Sequence, residues 1–189
     1  APGRAGDTGA SATVSDSHVQ GGSGAAYVSS ASTLTVVRSG LVGEGSSAAV
    51  DLFGSGKLSA QDSVLTGGGA GMRLFGDTTG GVADVTLVGS RVEGLTGPAI
   101  AVGNASLPAL TANIVVGPGS SLVGGDDVLL QVVGGSTANM RVDASQLVGD
   151  VVAEAGSTAN LTLENQASLT GRLQNVAGLT LNSQARWNM

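Results

Sequence analysis

The chain is 189 residues long and carries eight basic against fourteen acidic residues, a formal charge of −6. Its single lysine, Lys57, leaves almost no cationic surface from which nucleic acid could release counterions, which argues against nucleic-acid binding. Absence of cysteine excludes disulfides, thiolate metal sites and cysteine nucleophiles, and four aromatic residues in a chain able to bury a sizeable core predict that the core is aliphatic.

At the start, Ala1-Pro2-Gly3-Arg4 has neither a charged opening nor an apolar stretch, so a secretion signal is expected to lie upstream or to have been removed. The elements that follow are copies of one phrase. It reads small residue, polar residue, apolar, Thr or Ser, apolar, a short polar step, then Leu or Val two residues before Gly. In chain order the clear copies are Ser32-Thr33-Leu34-Thr35-Val36 running to Leu41-Val42-Gly43, Ala83-Asp84-Val85-Thr86-Leu87 to Val92-Glu93-Gly94, and Ala138-Asn139-Met140-Arg141-Val142 to Leu147-Val148-Gly149. Ala159-Asn160-Leu161-Thr162-Leu163, running to Leu169-Thr170-Gly171, is another.

The marked Leu or Val falls at Val19, Leu41, Leu65, Val92, Leu122, Leu147 and Leu169, with Trp187 in the same place of a last copy that lacks the Gly. Steps of 22, 24, 27, 30, 25, 22 and 18 residues are each about one coil of a solenoid. Eight copies fill the chain, so residues 1–189 read as one domain of about eight rungs.

Apolar residues alternate with Thr, Ser or charged residues, as in Leu161-Thr162-Leu163, Met140-Arg141-Val142 and Val85-Thr86-Leu87, the period of strands. Glycine, 32 of 189 residues, recurs too often for helices, at roughly 1 kcal/mol each. Strands of three to five residues cannot form a stable sheet within one copy, but stacked about 4.8 Å apart they pair in parallel around an inward column of Leu, Val, Ile and Ala. The predicted fold is all-β, a right-handed single-stranded parallel β-helix, or solenoid. Seven steps make a rod about 35 Å long.

A polar corner is expected ahead of each copy's first strand, at Thr13, Thr33, Lys57, Asp84, Asn113, Asn139, Asn160 and Gly178. From it to the marked Leu or Val is 8 or 9 residues in every copy but the first, where it is 6; the return path varies from 9 to 21. Constant length implies stacking, and variable length implies loops that leave the column. The largest loops are expected around 76–81 and 103–108, which makes Asp77, Thr78, Thr79, Asn104 and Ser106 the candidate partner-contact residues. Asn113, Asn139 and Asn160 are expected to stack in left-handed backbone with their amides hydrogen-bonded from copy to copy. Asp16, Arg38 and Asp62, each before the copy's Ser, are expected to form an outward ladder of alternating charge.

Catalytic or metal-binding constellations do not assemble. His18 is the only imidazole, and its neighbours Asp16 and Ser17 cannot all share one face of a strand with it, so a Ser-His-Asp relay is not expected. Gly21-Gly22-Ser23-Gly24 starts like a calcium-binding nonapeptide but has Ala26 where the acidic residue is due. Gly124-Gly125-Asp126-Asp127 reads as an exposed turn. Asp77 and Asp84 with Arg73 and Arg91 could serve a β-helical polysaccharide lyase, but 12% charged residues is sparse for a carboxylate-lined groove. No catalytic residue, metal or cofactor is expected. No run approaches the 18 or so apolar residues of a membrane helix, Val128-Leu129-Leu130 being interrupted by Gln131, so the chain reads as soluble.

The last two copies, Ala159 to Gly171 and then Val176-Ala177-Gly178-Leu179-Thr180-Leu181-Asn182-Ser183-Gln184-Ala185-Arg186-Trp187-Asn188-Met189, resemble the pertactin-like passenger region of bacterial autotransporters, in which Leu-Thr-Leu, a polar step and a Trp mark late rungs. The resemblance implies a cell-surface or secreted protein exported across the outer membrane, whose only membrane connection is a C-terminal barrel missing from this chain. It also implies that the chain is truncated at Met189. No Arg-Gly-Asp tripeptide is present, Arg4-Ala5-Gly6-Asp7 not being one. The expected function is non-enzymatic adhesion, self-association or virulence, with a host or bacterial surface protein, a glycan or another copy as partner. A carbohydrate-active β-helix enzyme of the polysaccharide lyase kind, or a stalk carrying an upstream functional head, are the alternatives.

Overall fold

Period-two alternation places one set of side chains inward and the other outward, and three short strands complete each coil. The computed structural model describes residues 9–189, among which every regular element is a strand. Equivalent strands from successive coils pair in parallel, giving a β-solenoid of about seven turns with three walls.

The first wall has eight strands in chain order: Ser11–Ser15, Thr33–Val37, Lys57–Gln61, Val82–Val88, Thr111–Val116, Thr137–Asp143, Thr158–Glu164 and Val176–Leu181. The third wall stacks Ala26–Val28, Val50–Phe53, Met72–Phe75, Ile100–Val102, Val128–Val132, Asp150–Ala153 and Leu173–Gln174. The second wall comes in two pieces. His18–Gly21, Gly40–Gly43, Val64–Gly67, Arg91–Gly94 and Ser121–Gly124 form one sheet, and Gln146–Val148, Ser168–Thr170 and Arg186–Asn188 another.

Inward positions form files. Val19, Leu41, Leu65, Val92 and Leu122 are direct register partners in succession, as are Leu147, Leu169 and Trp187. On the first wall Leu34, Leu58, Val85, Ile114, Met140 and Leu161 do the same, all at most 5% exposed. Each buried Leu or Ile contributes about 1.5–3 kcal/mol, so stacking supplies the stability that an isolated three-residue strand lacks. The core is aliphatic, as the composition predicts.

The corner between the first and second walls has nearly constant geometry. Asp16, Arg38, Asp62 and Ala144 turn the chain there in left-handed backbone, with φ of 48°, 45°, 50° and 49°. Ser39 and Ser63, and Ser90 and Ser120 at the same corner of later rungs, point inward, and the Oγ of each accepts the amide of the serine one rung earlier. Ser17 N–H to Ser39, Ser39 N–H to Ser63 and Ser63 N–H to Ser90 each measure 3.1 Å, and Ser90 N–H to Ser120 measures 3.3 Å. The ladder stops at Gly117-Pro118-Gly119, where the corner is one residue longer. Ser145 Oγ instead donates to the Gly117 carbonyl, and the second wall is interrupted at this rung.

Three expectations are corrected. Thr33, Lys57, Asp84, Asn113, Asn139, Asn160 and Gly178 do form one register row, but within strands of the first wall rather than at corners. Asn113, Asn139 and Asn160 are accordingly not left-handed, because the parallel ladder requires extended backbone. In the first copy Ser11, not Thr13, joins this row, since Thr13 pairs with Thr35; its eight-residue spacing to Val19 then matches the next copies. Finally, the variable half of the coil is not merely loops. It holds the third wall, and variation falls in the two corners that flank it and in a one-residue bulge between Val128 and Leu130.

Candidate functional site

The loops expected at 76–81 and 103–108 occupy the corner between the third and first walls, on adjacent rungs. They touch: a Cβ added to Gly76 would lie 1.9 Å from the Pro108 carbonyl oxygen. Asp77 is half-buried, with Thr78 and Thr79 exposed beside it. Its Oδ1 accepts the Thr79 amide at 2.8 Å and the Thr79 hydroxyl at 2.9 Å, and Oδ2 accepts the Ser30 hydroxyl from two rungs earlier. These bonds, the Ser30 hydroxyl foremost, hold the Asp77 carboxyl below its ordinary pKa. Gly54 lies between them; its φ of 56° and the 2.1 Å from a would-be Cβ to Ser30 Oγ leave no room for a side chain. In the neighbouring loop Asn104 Oδ1 accepts the Ser106 amide at 2.8 Å, with Ser106 exposed.

The outer face of the third wall holds what sequence reading missed. Tyr27 stacks on Phe53 with ring centroids 4.5 Å apart, and Phe53 lies 5.1 Å from Phe75. Three of the chain's four aromatic residues therefore form one external column. Two residues earlier on the same strands, Arg73 Nε and Nη2 donate to Asp51 Oδ1 and Oδ2 at 2.7 and 2.6 Å, and the Arg73 guanidinium lies 5.5 Å from the Phe75 ring centre. Asp51, 6% exposed, is the only charged residue in the buried class among the described residues. Burying a carboxylate is costly without a partner, and the bidentate guanidinium supplies one. The pair also raises the Arg73 pKa above its ordinary value, through the hydrogen bond to Asp51 first. A signal was present: Val50-Asp51-Leu52-Phe53 and Met72-Arg73-Leu74-Phe75 repeat apolar, charged, Leu, Phe at a spacing of 22 residues.

The structure therefore brings Asp77 and Thr79 to the loop side of Phe53 and Phe75, while the Asp51–Arg73 pair lies two residues earlier on their strands, in register with Tyr27. Ser30, bonded to Asp77, also reaches toward the Phe53 carbonyl at 3.4 Å.

Elsewhere charges and amides form ladders. On the first wall Lys57 Nζ lies 3.2 Å from Asp84, Asn113 Nδ2 donates to Asp84 at 3.1 Å, Asn139 to Asn113 at 3.1 Å and Asn160 to Asn139 at 3.0 Å, so the expected amide bonding from copy to copy is present. Arg38 grips Asp16 through two hydrogen bonds of 2.7 and 2.6 Å, and Asp62 on the next rung adds attraction through space. That grip holds the Asp16 carboxyl below its usual range.

The lyase arrangement does not assemble. Asp84 lies on the first wall, Arg91 bonds Glu93 on the second, Arg73 bonds Asp51 on the third and Asp77 sits in a corner loop. His18 is exposed above Gly40, and Ser17 Oγ donates to the Ser15 carbonyl rather than to an imidazole. Asp126 and Asp127 form an exposed turn in which Asp126 Oδ1 accepts the Val128 amide at 3.0 Å. No group of three or more His, Cys, Asp or Glu side chains is placed to hold a metal among the described residues. Arg4-Ala5-Gly6-Asp7 lies outside the described residues.

Comparison with known proteins finds no matching family model, no similar curated protein and no similar solved structure.

Proposed function

We propose that this chain is a non-enzymatic contact segment of a surface-exposed or secreted protein, of the pertactin-like passenger kind, that engages a surface protein, a glycan or another copy of itself. The observation that carries this reading is the external aromatic column flanked by polar groups. Rings stacked outside a core built almost entirely of aliphatic side chains are better suited to a partner than to the rod's own packing. Ionic side chains support the same reading, since Asp16, Asp51, Asp84, Asp150 and Glu164 each face a cation of a neighbouring rung and so join rungs together. A rigid solenoid is a suitable frame for many weak contacts spread along its length.

The test is attachment. Beads coated with the protein should adhere to host-cell or bacterial surfaces, or to one another, above beads coated with an unrelated acidic protein. Release of unsaturated sugars from polyuronate would instead favour the lyase alternative. Attachment conferred only by a region upstream of this chain would favour the stalk. An outer-membrane barrel encoded downstream in the reading frame is the expected companion under the autotransporter reading.

A further inference from the structure

We propose that Asn104 is an acceptor for N-linked sugar on the folded protein, its amide nitrogen taking a hexose from a nucleotide-activated donor, and that Asn160 is closed to the same reaction. The proposal is independent of the contact function above. Asn104-Ala105-Ser106 and Asn160-Leu161-Thr162 both have the Asn-x-Ser/Thr spacing, without proline in the middle, that N-glycosyltransferases read. The fold separates the two.

Asn104 lies in the corner between Ile100–Val102 of the third wall and Thr111–Val116 of the first, with Ala105 and Ser106 exposed beside it. Its main-chain carbonyl accepts the Leu107 amide at 3.2 Å and its Oδ1 accepts the Ser106 amide at 2.8 Å. The carboxamide is thus held by its oxygen, which leaves both hydrogens on Nδ2 unused. Nδ2 donates to no group among the described residues, and none of their buried side-chain nitrogens or oxygens lacks a partner, so Nδ2 faces solvent. Asn160 differs in every respect. It sits inside Thr158–Glu164, a strand paired in parallel on both sides, and its Nδ2 is spent on Asn139 Oδ1 at 3.0 Å. Leu161, the middle residue of that sequence, is 1% exposed. An enzyme could reach Asn160 only if a core strand left its sheet, which is among the costliest local openings.

In the transfer, Nδ2 forms a bond to the anomeric carbon of the sugar. The bond from that carbon to the diphosphate oxygen breaks, its electron pair leaves on the nucleoside diphosphate, and one Nδ2 proton passes to a base of the transferase. A sugar on Asn104 would project from a loop and disturb no rung, whereas one on Asn160 would sever the asparagine row.

The experiment incubates the intact folded chain with UDP-glucose and a soluble N-glycosyltransferase that acts on Asn-x-Ser/Thr, and reads intact mass and peptide maps. Synthetic peptides spanning 100–109 and 156–166 serve as unstructured references. The expected result is a single glucose on the folded chain, at Asn104, with both peptides modified. Ser106→Ala keeps the backbone amide bonded to Oδ1 and removes only the hydroxyl; it should abolish transfer, as should Asn104→Gln, while Ser106→Thr retains it. Far-UV circular dichroism of each variant checks that the fold persists. No transfer to Asn104 in the folded chain, transfer to Asn160 at a comparable rate, or undiminished transfer in Ser106→Ala would each overturn the proposal.

Discussion

Replacing Ser90 with alanine tests whether the internal serine column is a structural ladder or incidental packing. Ser90 is 1% exposed; its Oγ accepts the Ser63 amide at 3.1 Å and donates to the Val88 carbonyl at 2.9 Å. Without the oxygen, Val88 keeps the Asp62 amide at 3.0 Å, but the Ser63 amide, in a residue 2% exposed, loses its acceptor. Orphaning a buried donor costs about 1–3 kcal/mol. Ser145→Ala is the matched control. Ser145 is 3% exposed and donates to Gly117, whose carbonyl still accepts the Ser120 amide at 3.2 Å, so that variant loses one ordinary hydrogen bond, about 1 kcal/mol, and strands no donor. For a chain of this size each kcal/mol moves the melting temperature by about 2–4 °C. Ser90→Ala should therefore melt about 4–8 °C below the parent by circular dichroism, and Ser145→Ala by about half as much. Hydrogen exchange should show faster exchange at the Ser63 amide in Ser90→Ala alone. Equal losses in the two variants, or unaltered protection at Ser63, would refute the ladder.

Other outcomes follow from the same geometry. Leu147→Asp buries a charge at a position 1% exposed and should cost several kcal/mol, whereas Val148→Asp, next in the strand but 73% exposed, should stay within about 0.5 kcal/mol; equal denaturant midpoints would contradict the assigned faces. Gly178 continues the asparagine row with a backbone that tolerates a side chain, and its would-be Cβ lies 3.2 Å from the movable Asn160 amide oxygen. Gly178→Asn should thus raise stability by about 0.5–1 kcal/mol, measured by urea titration; a loss would mean that Asn160 cannot shift aside. Asp16, Asp77 and Asp150 all have carboxyls depressed by hydrogen bonds, to Arg38, to Ser30 and to the Arg172 amide respectively. Their stabilisation is complete above the unfolded carboxylate value of about 3.9 and is lost as pH falls through the lower folded values. Melting temperature should decline below about pH 4, and the decline should be shallower in Asp77→Asn; identical profiles would remove Asp77 from the account.

The repeat made the fold legible. A marked Leu or Val recurring once per coil, with period-two alternation before it, admits few arrangements besides stacked parallel strands, and Leu41, Leu65, Val92 and Leu122 lie in register as that pattern requires. Loop position was legible for the same reason, since length can vary only where rungs are not held together. The third wall escaped notice because its strands are short and lie between corners of changing length, which removes the fixed spacing a reader depends on. Asp51 shows the limit most clearly. In sequence it is one more charged residue in an alternating strand, and only the coil above places Arg73 over it.

Sequence by itself thus determined the strand period, the parallel stacking and the aliphatic interior, because these depend on local alternation and on a first half of 8 or 9 residues that recurs from copy to copy. Tertiary structure alone decided which outward residues meet: Tyr27 with Phe53, Asp51 with Arg73, Ser30 with Asp77. Those pairs are 22 to 47 residues apart, and which residues meet depends on how many of each corner's residues leave the column as loop, which the stacked strands decide and local sequence does not.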